Sequence, residues 1–317
     1  MSEPSAESVP PNIMWDITRY IIVAVVAGFL IWYCFLYTPT VYISREHTGK
    51  TMGTSYAVKV VQFPEHGDWQ KVADEIQERL DVLERMMSTD RSDSDVRRFN
   101  DFASTEEWLS VSKETAQVVH TALEISRLSE GAFDITIAPI LLNEQTGTEK
   151  LSVRLNPPAL KKLIPELTID LSVIARGFAV DSIAELLDAH KMTDYWIEID
   201  DAVRSKGKKS KDTDWIVGIE QPSPDQFLGV QQAFPLHDRS WATSGSSLGS
   251  NGSGRETLMS VSAVASHGVQ ANAWAHAMLV LGEQKGQELA NRHKIAVLFL
   301  LRTGDEIREV ASNAWGK

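Results

Sequence analysis

Residues 20–37 (YIIVAVVAGFLIWYCFLY) form an uncharged apolar run near the amino terminus of a 317-residue chain. Hydrocarbon offers no water to backbone amides, so a run that enters it can only be helical there. Its length is about what a bilayer core demands, and Trp32, Tyr33, Phe35 and Tyr37 gather at one end, where an interfacial aromatic belt would lie. A cleaved signal peptide would need a shorter apolar region followed by small residues. Bulky aromatics follow instead, and Tyr33 and Phe35 flank Cys34 where lipoprotein processing asks for small side chains. We read 20–37 as a single-pass transmembrane anchor, with a buried core helix as the alternative. Arg19 precedes the run while Arg45 and Lys50 follow it, so charge alone does not orient it. Residues 1–19 read as a disordered polar tail, 38–48 as a short linker, and 49–317 as one soluble body.

The rest of the composition narrows the body. With 43% hydrophobic and 23% charged residues it is globular. Forty-three acidic against 31 basic residues give a net charge of -12, which repels a phosphate backbone and argues against nucleic acid as a partner. A single cysteine excludes an intramolecular disulfide and a cysteine-based zinc finger. Alternation and β-branching predict a strand at 56–63 after a turn around Gly53. Val72, Ile76, Leu80, Leu83 and Met87 recur at helical spacing over 69–87, and a similar pattern covers 113–128 with Gly131 beyond its end. Further helices are predicted at 179–190 and 269–281, and strands at 195–199, 215–219, 258–265 and 295–301. The elements interleave without strict βαβ regularity, so the predicted class is α+β.

The order of short segments is more specific. Gly49-Lys50-Thr51-Met52-Gly53-Thr54 comes first, then Met87-Ser88-Thr89, Asp95-Val96 and Arg98-Phe99-Asn100, then Gly131-Ala132-Phe133-Asp134-Ile135-Thr136. Asp170-Leu171-Ser172, Gly177-Phe178-Ala179-Val180-Asp181, Arg204-Ser205-Lys206-Gly207, Ala242-Thr243-Ser244-Gly245, Ser260-Val261-Ser262 and Ala271-Asn272-Ala273-Trp274 continue the series. In order and spacing the series resembles the ApbE family, the FAD:protein FMN transferases, over nearly the whole body. The resemblance implies a two-lobed α+β protein tethered to the inner membrane, with its body on the periplasmic side and FAD bound between the lobes. It implies Mg²⁺-assisted attack of a target protein's Thr or Ser hydroxyl on the FMN phosphate, with AMP leaving. The implied partner is a flavoprotein target such as a subunit of a membrane redox complex. Carried onto this sequence, the cofactor contacts fall on Met52, Thr54, Asp134, Arg176, Thr243 and Ser244, and the metal ligands on Asn272 and His276.

The sequence departs from that pattern at the same site. Where the resemblance calls for an acidic ligand and a threonine one helical turn apart, Asn272 and His276 stand; one lacks the charge and the other the oxygen that hard Mg²⁺ prefers. A Gly-Gly turn beside the cofactor is replaced by Ile199-Asp200-Asp201-Ala202, whose carboxylates would repel a pyrophosphate. Residues 246–259 (SSLGSNGSGRETLM) lack the family's His-x-Ile-Asp-Pro-x-Thr-Gly segment, and no Trp-Gly loop is recognisable in 141–150.

Several features keep two readings. Residues 131–136 are a flavin contact or a plain helix stop. Arg176 meets a phosphate or neutralises Asp200 and Asp201. The Gly-Ser run 244–254 lacks the Lys-Ser/Thr ending of a P-loop and reads as a flexible connection, and 206–211 as a solvated turn. Asp200, Asp201, Asn272 and His276 form a mixed ligand set suited to Mn²⁺ or Zn²⁺, or the two aspartates pair with Arg176 and Arg204 while His276 packs on its helix. The favoured expectation is a degenerate member that serves as a membrane-held binding or assembly partner; the alternative is an active transferase with a rebuilt site.

Overall fold

The computed structural model describes residues 13–36, 43–63, 68–136, 147–220, 230–245, 257–304 and 306–316. The chain divides into two units, Met1–Tyr42 and Ile43–Lys317.

In the first unit, helix α1 spans Ile13–Leu36. Its side chains are described over 19–32, where Ile21, Ile22, Val23, Val25, Val26, Phe29, Leu30 and Ile31 are all exposed. Among the described residues no helix is long and apolar enough to cross a membrane; the span expected from the sequence runs on to Tyr37, which lies outside them, while residues 13–19 of the expected tail are helical and residues 45–48 of the expected linker are strand.

The body begins with strands β1 (Arg45–Thr51) and β2 (Thr54–Val61), joined by a tight turn in which Met52 and Gly53 have φ of 49° and 75°. Two successive left-handed residues match the twist of a two-residue hairpin, and glycine supplies the second at no steric cost. Helix α2 (Trp69–Met87) buries the predicted stripe of Val72, Ile76, Leu80, Leu83 and Met87, and Asp68 caps it by accepting from the Lys71 amide at 3.2 Å. Helix α3 (Asp95–Asp101) and helix α4 (Lys113–Leu128) carry serine caps, Ser94 and Ser112. Strands β3 (Leu109–Ser110), β4 (Leu151–Leu155) and β5 (Pro158–Lys162) form a small sheet in the order β3-β5-β4. At its end the fully buried Lys162 donates to the carbonyls of Leu167 (2.8 Å), Pro165 (3.2 Å) and Asn100 (3.3 Å), which satisfies a charge that burial would otherwise penalise.

Helix α5 (Ser172–Ala189) is followed by β6 (Asp194–Ile199), β7 (Ala202–Lys206), β8 (Ile216–Glu220), β9 (Val230–Pro235), β10 (Ser240–Gly245) and β11 (Thr257–Ala265). Helix α6 (Gly268–His293), β12 (Ala296–Thr303) and β13 (Glu306–Ala311) complete the body. Eight strands make an antiparallel sheet in the order β1-β2-β6-β7-β10-β11-β12-β13, while β8 and β9 form a separate hairpin. Period-two alternation gives the large sheet two buried faces. Ile197, Ala202, Ala242, Val261 and Phe299 enter one continuous core with α2, α4, α5 and α6. Trp196 and Trp241 point the other way and meet Trp215 and Phe234, with ring centroids 5.8 Å apart in each pair. The α+β class is as expected, and one hydrophobic core runs through both the large and the small sheet.

Two helices differ from the sequence reading. Helix α5 starts at Ser172 rather than 179, because it is buried nearly all round and so carries no amphipathic stripe to mark its first turns. Helix α6 continues past 281 to His293 through a break at Gly282, whose φ of 74° and ψ of 179° only glycine adopts readily.

Candidate functional site

Helices α5 and α6 cross at two glycines. A Cβ on Gly177 would sit 2.2 Å from the Gly268 carbonyl oxygen and 2.4 Å from Asn272 Oδ1, so the backbones meet at a separation no other residue permits. The first amides of α6 have no local cap, and Asp181 of α5 accepts from the Gly268 and Val269 amides at 2.8 and 3.0 Å. Arg204 of β7 closes this cluster, donating to Asp181 Oδ1 at 3.1 Å and to the Ser266 carbonyl at 2.6 Å. A carboxylate at a helix amino terminus satisfies orphan donors and the macrodipole together.

The altered site adjoins this crossing, with Arg176 beside Gly177 on α5 and Asn272 one turn after Gly268 on α6. The β6–β7 turn places Asp200 in the left-handed region, with φ of 52°, and sets Asp201 beside it. Arg176 of α5 donates through Nη1 to Asp200 Oδ2 and to Asp201 Oδ1, the latter at 3.0 Å. Asn272 of α6 donates from Nδ2 to Asp201 Oδ2 at 3.3 Å, while its Oδ1 is buried without a partner. Burial pushes the Asp201 carboxyl up to about 6, against the pull of Arg176 and with some help from the Asp200 charge. Of the two arginines expected to neutralise Asp200 and Asp201, Arg176 does so and Arg204 does not, being committed to Asp181.

Of the mixed metal set that the sequence left as one of two readings, Asp200, Asp201 and Asn272 meet beside Arg176, while His276 packs elsewhere. His276 lies one turn beyond Asn272 on α6 and packs edge-on to the Phe133 ring at 6.0 Å, and burial pulls its pKa down. Asp200 and Asp201 face Arg176, and among the described residues no group of three or more His, Cys, Asp and Glu side chains could hold a metal ion. Asn272 Oδ1, the one buried side-chain acceptor without a partner among the described residues, is a single neutral oxygen, whereas Mg²⁺ wants several oxygens and negative charge. Among the described residues, the side chains at these positions are taken up by contacts within the protein and present no ready set for Mg²⁺, Mn²⁺ or Zn²⁺.

The cofactor positions are mostly occupied by the protein itself. Met52 donates its amide to Glu84 at 2.9 Å, and its side chain packs on the core. Asp134 accepts from the Thr136 amide and hydroxyl at 2.8 and 2.6 Å and from the Gly147 amide at 3.2 Å, so its carboxylate braces the 131–136 turn. Thr243 shares a 2.8 Å hydrogen bond with its cross-strand neighbour Ser262. Thr54 and Ser244, both half-buried, are the two positions whose hydroxyls make no side-chain hydrogen bond among the described residues. Residues 137–146 and 246–256, which hold most of the altered loops, lie outside the described residues. Sequence reading missed the Glu84 contact to Met52 and the Gly177–Gly268 crossing. A glycine two residues before one predicted helix and another immediately before a second were the available signal for the crossing.

This arrangement of sheet and helices superposes on solved flavin transferases. The flavin transferase ApbE from Vibrio cholerae superposes with a TM-score of 0.77 at 32% identity, covering 86% of this chain and 98% of that one. The apo flavinyl transferase ApbE of Pseudomonas stutzeri gives 0.75 at 26% identity, covering 86% and 96%. In sequence, the FAD:protein FMN transferase of Vibrio cholerae is 33% identical over 84% of this chain and 90% of its own length; that of Haemophilus influenzae is 28% identical over 85% and 90%. The ApbE family model matches residues 52–248. The chain belongs to the ApbE family.

Proposed function

We propose that this protein keeps the family scaffold without its transfer chemistry, and acts as a membrane-held binding or assembly partner of a membrane redox complex. The observation that carries this reading is the closed cluster at the β6–β7 turn. Arg176 is tied to Asp200 and Asp201, and the two metal positions hold an amide already bonded to Asp201 and an imidazole packed on Phe133. Phosphoryl transfer needs charge brought to the phosphate, not carboxylates already neutralised by the protein's own arginine. The uncharged stretch 20–32 of helix α1, whose large apolar side chains are exposed, supports anchoring, because a segment apolar on every face belongs in apolar surroundings. By the habit of the family the body is then periplasmic.

The second reading, an active transferase, draws on the identity to the Vibrio cholerae enzyme. In that reaction a Thr or Ser oxygen of the acceptor forms a bond to the FMN phosphorus, the bond from that phosphorus to AMP breaks, and the hydroxyl proton is lost. Incubation with FAD, Mg²⁺ and an acceptor peptide separates the two, with FMN attachment read by mass and by flavin fluorescence. We expect a rate lower than that of the Vibrio cholerae relative by about three orders of magnitude or more, equivalent to roughly 4 kcal/mol of lost transition-state stabilisation. A comparable rate overturns the proposal. In that case the double change Asn272→Asp with His276→Thr should add little.

A further inference from the structure

Two adjoining cavities open at the carboxyl-terminal end of the body and share no residue with the Arg176 cluster. One, of about 530 Å³, is walled by Phe234, Leu236, Trp241 and Trp315; the other, of about 400 Å³, by Ser266, Gln270 and Lys294. Arg239, Val264 and Ala296 line both and form the seam. Each volume lies within the usual range of small-molecule sites.

The aromatic half is built before any ligand arrives. Trp241 and Trp315 stand 5.3 Å apart at 65°, Phe234 and Trp315 5.4 Å apart at 76°, and Phe234 and Trp241 5.8 Å apart at 32°. Trp241 is held by its Nε1 donating to Thr243 Oγ1 at 2.9 Å. Trp315 closes a turn onto the Ser312 carbonyl at 3.0 Å. Ser312 is in turn pinned to β12, donating to the Ile295 carbonyl at 2.7 Å and accepting from the Val297 amide at 3.0 Å.

The other half is cationic. Arg239 and Lys294 are exposed, and neither side chain has an ion pair or hydrogen bond among the described residues. In a chain of net charge -12, no carboxylate lines either cavity. His237 at the rim faces Asp214 at 3.7 Å. Three aromatic faces alone would suit an organic cation, but Arg239 at the seam would repel one.

We infer that the two cavities form one binding site for a small planar aromatic anion, whose ring packs against the wall that Trp241, Trp315 and Phe234 form and whose phosphate or carboxylate meets Arg239 and Lys294. The ring gains from offset and edge contacts, and the guanidinium presents a planar fork to the anion. This site is independent of whether FMN transfer survives, since Arg176, Asp201 and Asn272 take no part in it.

Calorimetric titration of the full chain in detergent with 1-naphthyl phosphate tests the site, the detergent-only heat being subtracted. We expect saturable one-site binding, with 1-naphthol and inorganic phosphate each weaker by about tenfold or more, since each carries only one of the two recognised features. Arg239→Gln, which alters an exposed side chain and leaves the main-chain bond from Ser205 in place, should weaken it by about tenfold. Arg239→Glu should abolish it, Trp315→Leu should weaken it, and Arg176→Ala should leave it unchanged. The inference is overturned by no saturable binding, by inorganic phosphate binding as tightly as the naphthyl ester, by undiminished affinity in Arg239→Glu, or by a loss in Arg176→Ala.

Discussion

Asp201 gives the altered cleft a measurable pH signature. Its carboxyl stands at about 6 instead of its ordinary 3.8, because burial disfavours the charged form more than Arg176 and Asn272 favour it. The native state therefore holds a proton that the unfolded chain releases between about pH 4 and 6, so stability falls as pH rises through that window and levels off above it. A shift of about two units corresponds to a ceiling of roughly 3 kcal/mol. The side chain retains 27% exposure, and solvent screening brings the expected effect to about 2 kcal/mol. Asp201→Asn removes the titration while leaving Arg176 its contact with Asp200. The measurement is urea unfolding of both proteins, followed by tryptophan fluorescence, at steps between about pH 4 and 8. Other carboxylates titrate alike in both and cancel in the difference. The variant should gain on the native protein by about 2 kcal/mol as pH rises, most of it between about pH 4 and 6. A flat difference would refute the argument. So would the opposite slope, which would mean that the pair with Arg176 outweighs burial and depresses the pKa.

Three further outcomes are expected. Gly177→Ala forces a methyl to within 2.2 Å of the Gly268 carbonyl, a rigid backbone atom, and should cost about 3 kcal/mol in the same unfolding assay; a loss below about 1 kcal/mol would mean the helices separate freely. Asp181→Ala removes the cap from α6 and leaves Arg204 facing unpaired groups, at a cost of about 3 to 5 kcal/mol, whereas Asp181→Asn, which keeps an acceptor for one amide, should cost less. A chain starting at Ser44 should leave the membrane fraction entirely, while the full chain resists a carbonate wash; retention of the shortened chain would place a membrane contact in the body.

Local pattern carried much of this protein into plain view. The stripe over 69–87 became α2, and 113–128 became α4, because an amphipathic helix must repeat its apolar residues at the period of its own turn. The β-branched runs became β2, β6, β11 and β12, with ends shifted by a residue or two. The loss of charge at Asn272 was equally legible, since residue identity alone decides what an atom can donate to a metal.

Partner choice was not legible. Arg176 and Arg204 lay 28 positions apart with Asp181, Asp200 and Asp201 between them, and nothing local says which arginine takes which aspartate. The fold decides it by setting Asp181 under the amides of α6, 87 residues away, where Arg204 reaches it from β7, while the β6–β7 turn swings Asp200 and Asp201 toward Arg176. In the same way Trp315, near the end of the chain, meets Trp241 only because Ser312 ties the last turn to β12. Periodicity and side-chain chemistry act within a few residues and are written in order along the chain. Ion pairing, helix crossing and ring contact depend on distances that exist only once the sheet order has been set.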